Sequence, residues 1–370
     1  MAELSSRLPR AFRPGRLWRL GRPVLAALLL GSFLTSACEV RRGAAPESTR
    51  QLQVAAVRRI ADRPALSPAV WSPDGRALVY SSDHRLRVYT LDRGEQDIAP
   101  AEAVTALSWS GPLNLLALID RGAVWTLSPD GTDRRAIPLP GSAMELAWAP
   151  GGDKLAVVIR RTVEGQPRSE LWLVSRDGGF RRMVTRATPG RTIHDLQWFA
   201  DNLYLLYGLS TATDSAMTEV WRVRISYPDR QRILLPALAT MLRLAPTGRY
   251  LATVSGDQAA VGVGQVVLSR LDGSARFAVT PAAGRYTGLA WSPQGDKVVF
   301  AQVSNEAHAE LWMANADGSG HLHLYSYLME YADPGIGVAL AWSPDGRHLA
   351  FGTNTGGFKG PIWVATLQRR

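Results

Sequence analysis

One short pattern recurs seven times along this 370-residue chain, and it limits the possible folds more than any other feature. It reads AVWSPDGRALVY (69–80), LSWSGPLNLLAL (107–118), LAWAPGGDKLAV (146–157), LQWFADNLYLLY (196–207), LRLAPTGRYLAT (242–253), LAWSPQGDKVVF (289–300) and LAWSPDGRHLAF (340–351). The marker residues Trp71, Trp109, Trp148, Trp198, Leu244, Trp291 and Trp342 stand 38, 39, 50, 46, 47 and 51 residues apart. In Ser-Pro-Asp-Gly the proline presets a φ near about −65° and the glycine tolerates a positive φ. The apolar runs on either side therefore read as two strands joined by a tight turn.

A second pattern follows each marker: RLRVYTLDRG (85–94), AVWTLSPDGT (123–132), ELWLVSRDGG (170–179), EVWRVRISYP (219–228), QVVLSRLDGS (265–274), ELWMANADGS (310–319) and PIWVATLQRR (361–370). Asp-Gly recurs in it at Asp130, Asp177, Asp272 and Asp317, which marks another strand–turn–strand. Each unit is thus a four-stranded antiparallel sheet, and the repeat period is that of a propeller blade. The expected fold is all-β: a seven-bladed β-propeller over 51–370. Apart from Trp18, every tryptophan falls in the two columns: Trp71, Trp109, Trp148, Trp198, Trp291 and Trp342, then Trp125, Trp172, Trp221, Trp312 and Trp363. A large aromatic at a fixed place in each unit serves packing between neighbouring sheets. The last unit, from Leu340, reaches Arg370 after only three strands, while QLQVAAVRRIA (51–61) precedes the first marker as a spare strand. Pairing the two closes the ring and removes an open sheet edge.

Trp-Ser-Pro-Asp-Gly-Arg followed by an apolar strand, then Leu-Trp with Asp-Gly-Ser, resembles the WD40-like repeat of the TolB-type propellers. The resemblance covers roughly 51–370 and implies a fold more than a function. It departs from TolB in that only a tether precedes the repeats, where TolB carries an α/β domain. The layout of anchor plus propeller is also similar to lipoproteins that accompany sensor kinases in actinomycetes.

Ahead of the repeats lie six arginines between Arg7 and Arg22, an apolar stretch from Val24 to Leu34, and Leu34-Thr35-Ser36-Ala37-Cys38. A basic segment, a short apolar core and small residues are the parts of an export signal. The segment resembles a bacterial lipobox, departing from it at Thr35, where leucine is commonest. The resemblance implies that 1–37 is a lipoprotein signal peptide and that Cys38 is lipidated. Residues 38–50 then form the lipidated cysteine and a flexible tether, polar and bearing Gly, Pro and Ser. The expected location is extracytoplasmic, facing the periplasm or at the cell surface. Cys38 is the single cysteine, so there is no internal disulfide and no cysteine-based metal cluster.

The net charge of +10 does not point to nucleic acid. The signal segment alone contributes much of it, and the remaining arginines are scattered rather than striped. No Gly-x-Ser-x-Gly elbow, phosphate-binding loop or dinucleotide fingerprint occurs. His321 and His323 alternate on one strand, but zinc normally takes three or four protein ligands, so they read as solvent-facing. No catalytic residue, metal site or cofactor is therefore assigned. Among first-strand residues only Glu145, His194 and Asp195 suggest chemistry, as a funnel enzyme of hydrolase, lactonase or glycosidase type would require. The favoured reading is a monomeric scaffold that docks an envelope protein, peptide or glycan.

Strand direction puts the repetitive tight turns on one face of the disc and the unlike second turns and inter-unit links on the other. Variable loops on a rigid scaffold are where binding residues concentrate. The binding candidates are Arg160, Arg161, Arg168, Arg191, His194, Arg285, Tyr286, Tyr327, Glu330 and Tyr331. Arginine and tyrosine are the residue types enriched at contact hot spots.

The anchor reading is checked by metabolic labelling with a fatty-acid analogue. Wild type should take up label and fractionate with membranes, and Cys38→Ala should lose both.

Overall fold

The computed structural model describes residues 52–61, 69–211, 219–226, 230–233, 238–256, 263–305, 308–328, 338–353 and 361–369. The export segment, Cys38, the tether, Glu330 and Tyr331 lie outside the described residues. Among the described residues there are strands and turns and no helix.

The strands form consecutive four-stranded antiparallel meanders. Sheets 1 to 4 span 70–100, 104–137, 142–186 and 191–233. Sheets 5 and 6, at 238–278 and 284–328, are hydrogen-bonded into one eight-stranded sheet where Val263 faces Arg285 and Gly264 faces Gly284. Sheet 7 takes three strands from 338–369 and its outer strand from the other end of the chain, Leu52–Arg59. That strand pairs antiparallel with Ile362–Arg369, from Leu52 opposite Arg369 to Arg59 opposite Trp363.

The burial pattern shows why these segments are strands. The second strand of each sheet is mostly apolar, as in Leu78-Val79-Tyr80 or Leu155-Ala156-Val157-Val158-Ile159, and it is buried on both faces. Both faces are covered because the sheets stack on one another. Each hydrophobic cluster joins two neighbours: sheets 1 and 2 around Leu86 and Leu116, sheets 3 and 4 around Leu171 and Leu205, sheets 5 and 6 around Val266 and Phe300. Another joins sheets 7 and 1 through Trp71, Tyr80, Ala350 and Ile362. The first strand of every sheet also touches the first strand of the next, and that of sheet 7 touches that of sheet 1.

The tight turns repeat their chemistry. Ser72 Oγ donates to Asp74 at 2.5 Å and accepts the Ala77 amide at 2.8 Å, while Asp74 accepts the Arg76 amide at 3.1 Å. Between them Gly75 takes φ +72°, where a side chain would also press on Asp345. Ser343 and Asp345 repeat the arrangement at 2.5 Å. In sheet 6 Gln294 occupies the aspartate place, and Ser292 reaches instead to Asp296 at 2.7 Å, two positions further on. These bonds hold the Asp74 carboxyl below its usual range, the Ser72 bond acting most strongly.

The first tryptophan column does more than fill space. Trp71, Trp198 and Trp291 each donate the indole N–H to a backbone carbonyl of another sheet's first strand: Ala341 at 3.0 Å, Ala147 at 2.9 Å and Arg243 at 2.9 Å.

Deleting Leu52–Arg59 from the full chain removes a paired strand and the cover that Leu52, Val54 and Val57 give the sheet 6–7 cluster. Burial terms of about 1 kcal/mol or more per apolar side chain predict a loss of roughly 3 kcal/mol. Thermal unfolding should show a melting temperature several degrees lower.

Candidate functional site at the first strands

Each described first strand of sheets 2 to 6 carries a register irregularity near its start. A bulge takes backbone groups out of the ladder and leaves them needing partners. In sheet 4 the bulge falls at Asp195, with φ +52°, and in sheet 5 at Met241, with φ +56°. The amides of Asp195 and Leu196 donate to Glu145 of sheet 3 at 3.1 and 2.9 Å. Asp195 accepts from His194 Nδ1 at 3.1 Å and from Arg243 of sheet 5 at 3.1 Å. Gln197 completes the link, donating to the Leu242 carbonyl at 2.8 Å and accepting the Leu244 amide at 2.7 Å. Glu145, His194, Asp195 and Arg243 thus join three successive sheets.

The electrostatics separate the two carboxyls. Burial, reinforced by the charge of Asp195, raises the Glu145 carboxyl above its usual range despite the two amide bonds. Burial would also raise Asp195, but the His194 bond and the Arg243 charge outweigh it and hold Asp195 low. Burial would lower the His194 imidazole, yet the bond to Asp195 and the two nearby carboxyls lift it above its ordinary value. The arrangement can hold a proton at His194 and present a carboxylate–imidazolium–guanidinium surface.

A second group of charges lies on the third strands. Glu170, fully buried, receives Arg161 Nε at 3.1 Å, Arg186 Nε at 2.8 Å and the Trp172 indole N–H at 3.0 Å. Burial alone would raise this carboxyl; the indole and the two arginines hold it below its usual range. Glu219 receives Arg191 at 3.0 Å and the Trp221 indole at 3.1 Å. The signal for both is present in sequence as Glu-x-Trp, two residues apart and so on one face of a strand.

The binding candidates divide accordingly. Arg160 is exposed, Arg168 and Arg285 are half-buried, and Arg161, Arg191 and His194 are tied to carboxylates within the fold. The segment that carries Arg160, Arg161 and Arg168 is a hairpin of Lys154–Val163 and Gln166–Ser175, turning at Glu164 and Gly165 with φ +52° and +73°. Paired positive φ values match the right-handed twist of the flanking strands, so the strands run to the tip. The two described tyrosines require correction as surface residues. Tyr286 is 2% exposed and meets Phe300 edge-on at 5.9 Å; Tyr327 is 8% exposed and lies 5.2 Å from Phe351. Both belong to strands that extend past the expected links, and each faces an adjoining aromatic. Burial raises the Tyr327 hydroxyl above its ordinary value. His321 and His323 are exposed, as expected, and His323 bonds Ser326 at 2.9 Å. Among the described residues no group of three or more His, Cys, Asp or Glu side chains is placed to hold a metal ion.

No protein-family model matches the chain, and no curated protein matches it. Solved structures do. An oligogalacturonate lyase in complex with manganese superposes with a TM-score of 0.69 at 12% identity, over 85% of this chain and 95% of that one. A β-propeller domain from Myceliophteria thermophila gives 0.60 at 15%, over 84% and 99%. A protein assigned as TolB from Agrobacterium tumefaciens gives 0.51 at 20%, over 75% and 94%. At these identities the likeness shows the fold alone: the chain is an all-β propeller related in architecture to TolB and the oligogalacturonate lyases.

A pH titration tests the Asp195–His194 pair. The His194 ring resonances should titrate above the ordinary imidazole value of about 6.5, and Asp195→Asn should bring them down. Because the folded value is raised, the stabilisation is complete below about pH 6.5 and fades as pH rises through the folded value. Melting curves of wild type and His194→Gln should converge over that interval.

Proposed function

We propose that the chain is an exported, lipid-anchored envelope protein whose seven sheets are the blades of one ring, closed by Leu52–Arg59, and that this propeller is a binding scaffold. The closure reading is supported by the pairing of Leu52–Arg59 with Ile362–Arg369 and by the Trp71–Ala341 bond. The anchor reading is supported by the segment preceding Cys38.

The observation that carries the scaffold reading is the inequality of the two faces. On one, Ser-Asp and Asp-Gly turns repeat the same bonds from sheet to sheet. Between sheets, arginines cross to the neighbour's carbonyls. Arg134 reaches Pro100 at 2.7 Å and Arg181 reaches Pro138 at 3.0 Å. Those side chains are committed to architecture. On the opposite face the described second turns differ in composition from sheet to sheet, as at Asp83-His84, Arg121-Gly122 and Glu164-Gly165. A composite surface of unlike loops on a rigid ring suits recognition of an envelope protein, peptide or glycan.

A second reading, an enzyme of hydrolase, lactonase or glycosidase type working from the centre of the ring, has one observation in its favour. Glu145 and Asp195 are carboxyls driven apart in acidity beside His194, the pattern of a proton-transfer pair. The internal partners of each group favour a structural role.

Affinity capture from envelope extracts distinguishes the faces. Arg160→Ala, at an exposed position, should leave melting within about 0.5 kcal/mol of wild type and weaken partner recovery. Arg76→Ala with Arg347→Ala, on the tight-turn face, should not. The reverse result assigns binding to the other face, and activity on an envelope glycan abolished by His194→Gln supports the enzyme.

A further inference from the structure

The second tryptophan column is guarded by arginine almost everywhere. In sheet 2 Arg134 lies over the Trp125 ring at 4.4 Å, and in sheet 7 Arg59 lies over Trp363 at 5.8 Å. In sheets 3 and 4 the arginines reach the carboxylate that holds the indole: Arg161 and Arg186 at Glu170, Arg191 at Glu219. Sheet 6 keeps the same carboxylate and indole, with Trp312 Nε1 donating to Glu310 at 3.0 Å. It lacks the cation. Among the described residues no arginine or lysine pairs with Glu310, and the Trp312 ring meets His323 edge-on instead.

The register identifies what has been lost. Glu170 stands opposite Arg186 on the outer strand, and Glu310 stands opposite Ser326. On the second strand Glu170 faces Ile159, with Arg161 two residues beyond; Glu310 faces Gln302, with Ser304 two residues beyond. Both arginine positions of sheet 3 are thus serines in sheet 6. Ser304 reaches only the His308 carbonyl at 3.4 Å, and Ser326 reaches His323. Glu310 is left half-buried with one neutral donor. A partly desolvated carboxylate without a counter-charge is costly, and a cation from outside would recover that cost.

The space for such a cation lies alongside. Tyr286, Gln302 and Glu310 are paired across strands, as are Phe300 and Trp312, so all five side chains share one face of the sheet. Against that face opens a pocket of about 200 Å³ lined by Pro281, Tyr286, Phe300, Gln302, Trp312 and His321. Its walls are the 279–283 segment, the rings of Tyr286, Phe300, Trp312 and His321, and the Gln302 amide; Glu310 is not itself a wall and adjoins the pocket through Trp312, which it bonds. An apolar stem beside an indole, ending in a flat cation that two carboxylate oxygens can receive, is the chemistry of arginine.

We propose that sheet 6 is an arginine-binding site: Glu310, Trp312 and the adjoining pocket receive the guanidinium and stem of an arginine presented by a partner polypeptide. The partner side chain takes the place that the protein's own arginines occupy in sheets 2, 3, 4 and 7. The site is defined by the domain's residues alone, so it stands whether or not Cys38 carries lipid, and its test is separate from capture on the loop face.

The test uses the full chain in detergent and two probes, N-acetyl-arginine amide and its uncharged counterpart N-acetyl-citrulline amide. Binding is read from the Trp312 indole N–H resonance. The arginine probe should shift it saturably and the citrulline probe should not. Glu310→Gln keeps an oxygen for the indole N–H and should weaken the arginine probe at least tenfold. Ser326→Arg should supply the cation from within, as Arg186 does for Glu170, abolishing probe binding while raising the melting temperature. The proposal is overturned if the arginine probe leaves the wild-type resonance unmoved, if citrulline binds equally, or if both variants bind as wild type does.

Discussion

A small antiparallel sheet whose second strand is apolar on both sides has no stable existence alone in water, because each face must be covered. In this protein every sheet covers its neighbours, and the rest of the structure follows from that dependence. Tyr80, Leu118, Ile159 and Tyr207 are almost fully buried although each sheet is only four strands deep. An outer edge is acceptable, since its strands are mixed in polarity, as in Arg181–Arg186. Sheet 7 would lack its outer strand if the chain supplied it only in order. The pairing of Leu52–Arg59 with Ile362–Arg369 answers this, covering an edge and joining distant parts of the sequence.

Stacking by apolar contact fixes distance but not orientation. Orientation comes from hydrogen bonds that cross between sheets: indole N–H groups to backbone carbonyls, Glu145 to the amides at the Asp195 bulge, Gln197 to Leu242 and Leu244. The bulges create the free amides, and the neighbouring sheet supplies the acceptor. The strongest polar cluster of the first strands is therefore also a splice between sheets. Its separated acidities are a consequence of burial with unequal partners: Glu145 has only amides, and Asp195 has two cationic neighbours.

The same economy applies to charge at the third strands. Buried glutamates are tolerated because arginines from adjacent strands reach them, and the indole at i+2 fills a remaining acceptor site. Arginine suits the task, with a planar head and a stem that packs along aromatic surface. Where serines replace those arginines, in sheet 6, the carboxylate and the indole persist without their usual partner.

By itself the sequence determined the units and their turns. The Trp–Ser-Pro-Asp-Gly repeats needed only local geometry, proline and glycine at positions of defined φ, and the structure forms a turn at each. The spare strand at 51–61 was legible too, because the last repeat stops one strand short. Side-chain fate was not. Arg161, Arg191 and Tyr286 look like loop residues when strand ends are drawn at the repeat pattern, yet the strands run past it. Arg243 escaped notice in the weakest repeat, where Leu244 replaces tryptophan. Glu145, His194 and Asp195 stood out as polar residues on first strands, but their joining to Arg243 depends on a bulge, and a bulge is set by the fit between stacked sheets. The cluster of Glu145, Asp195 and Arg243 is made by residues about fifty positions apart meeting across sheet interfaces. That proximity is a property of the stacked sheets and of no single repeat.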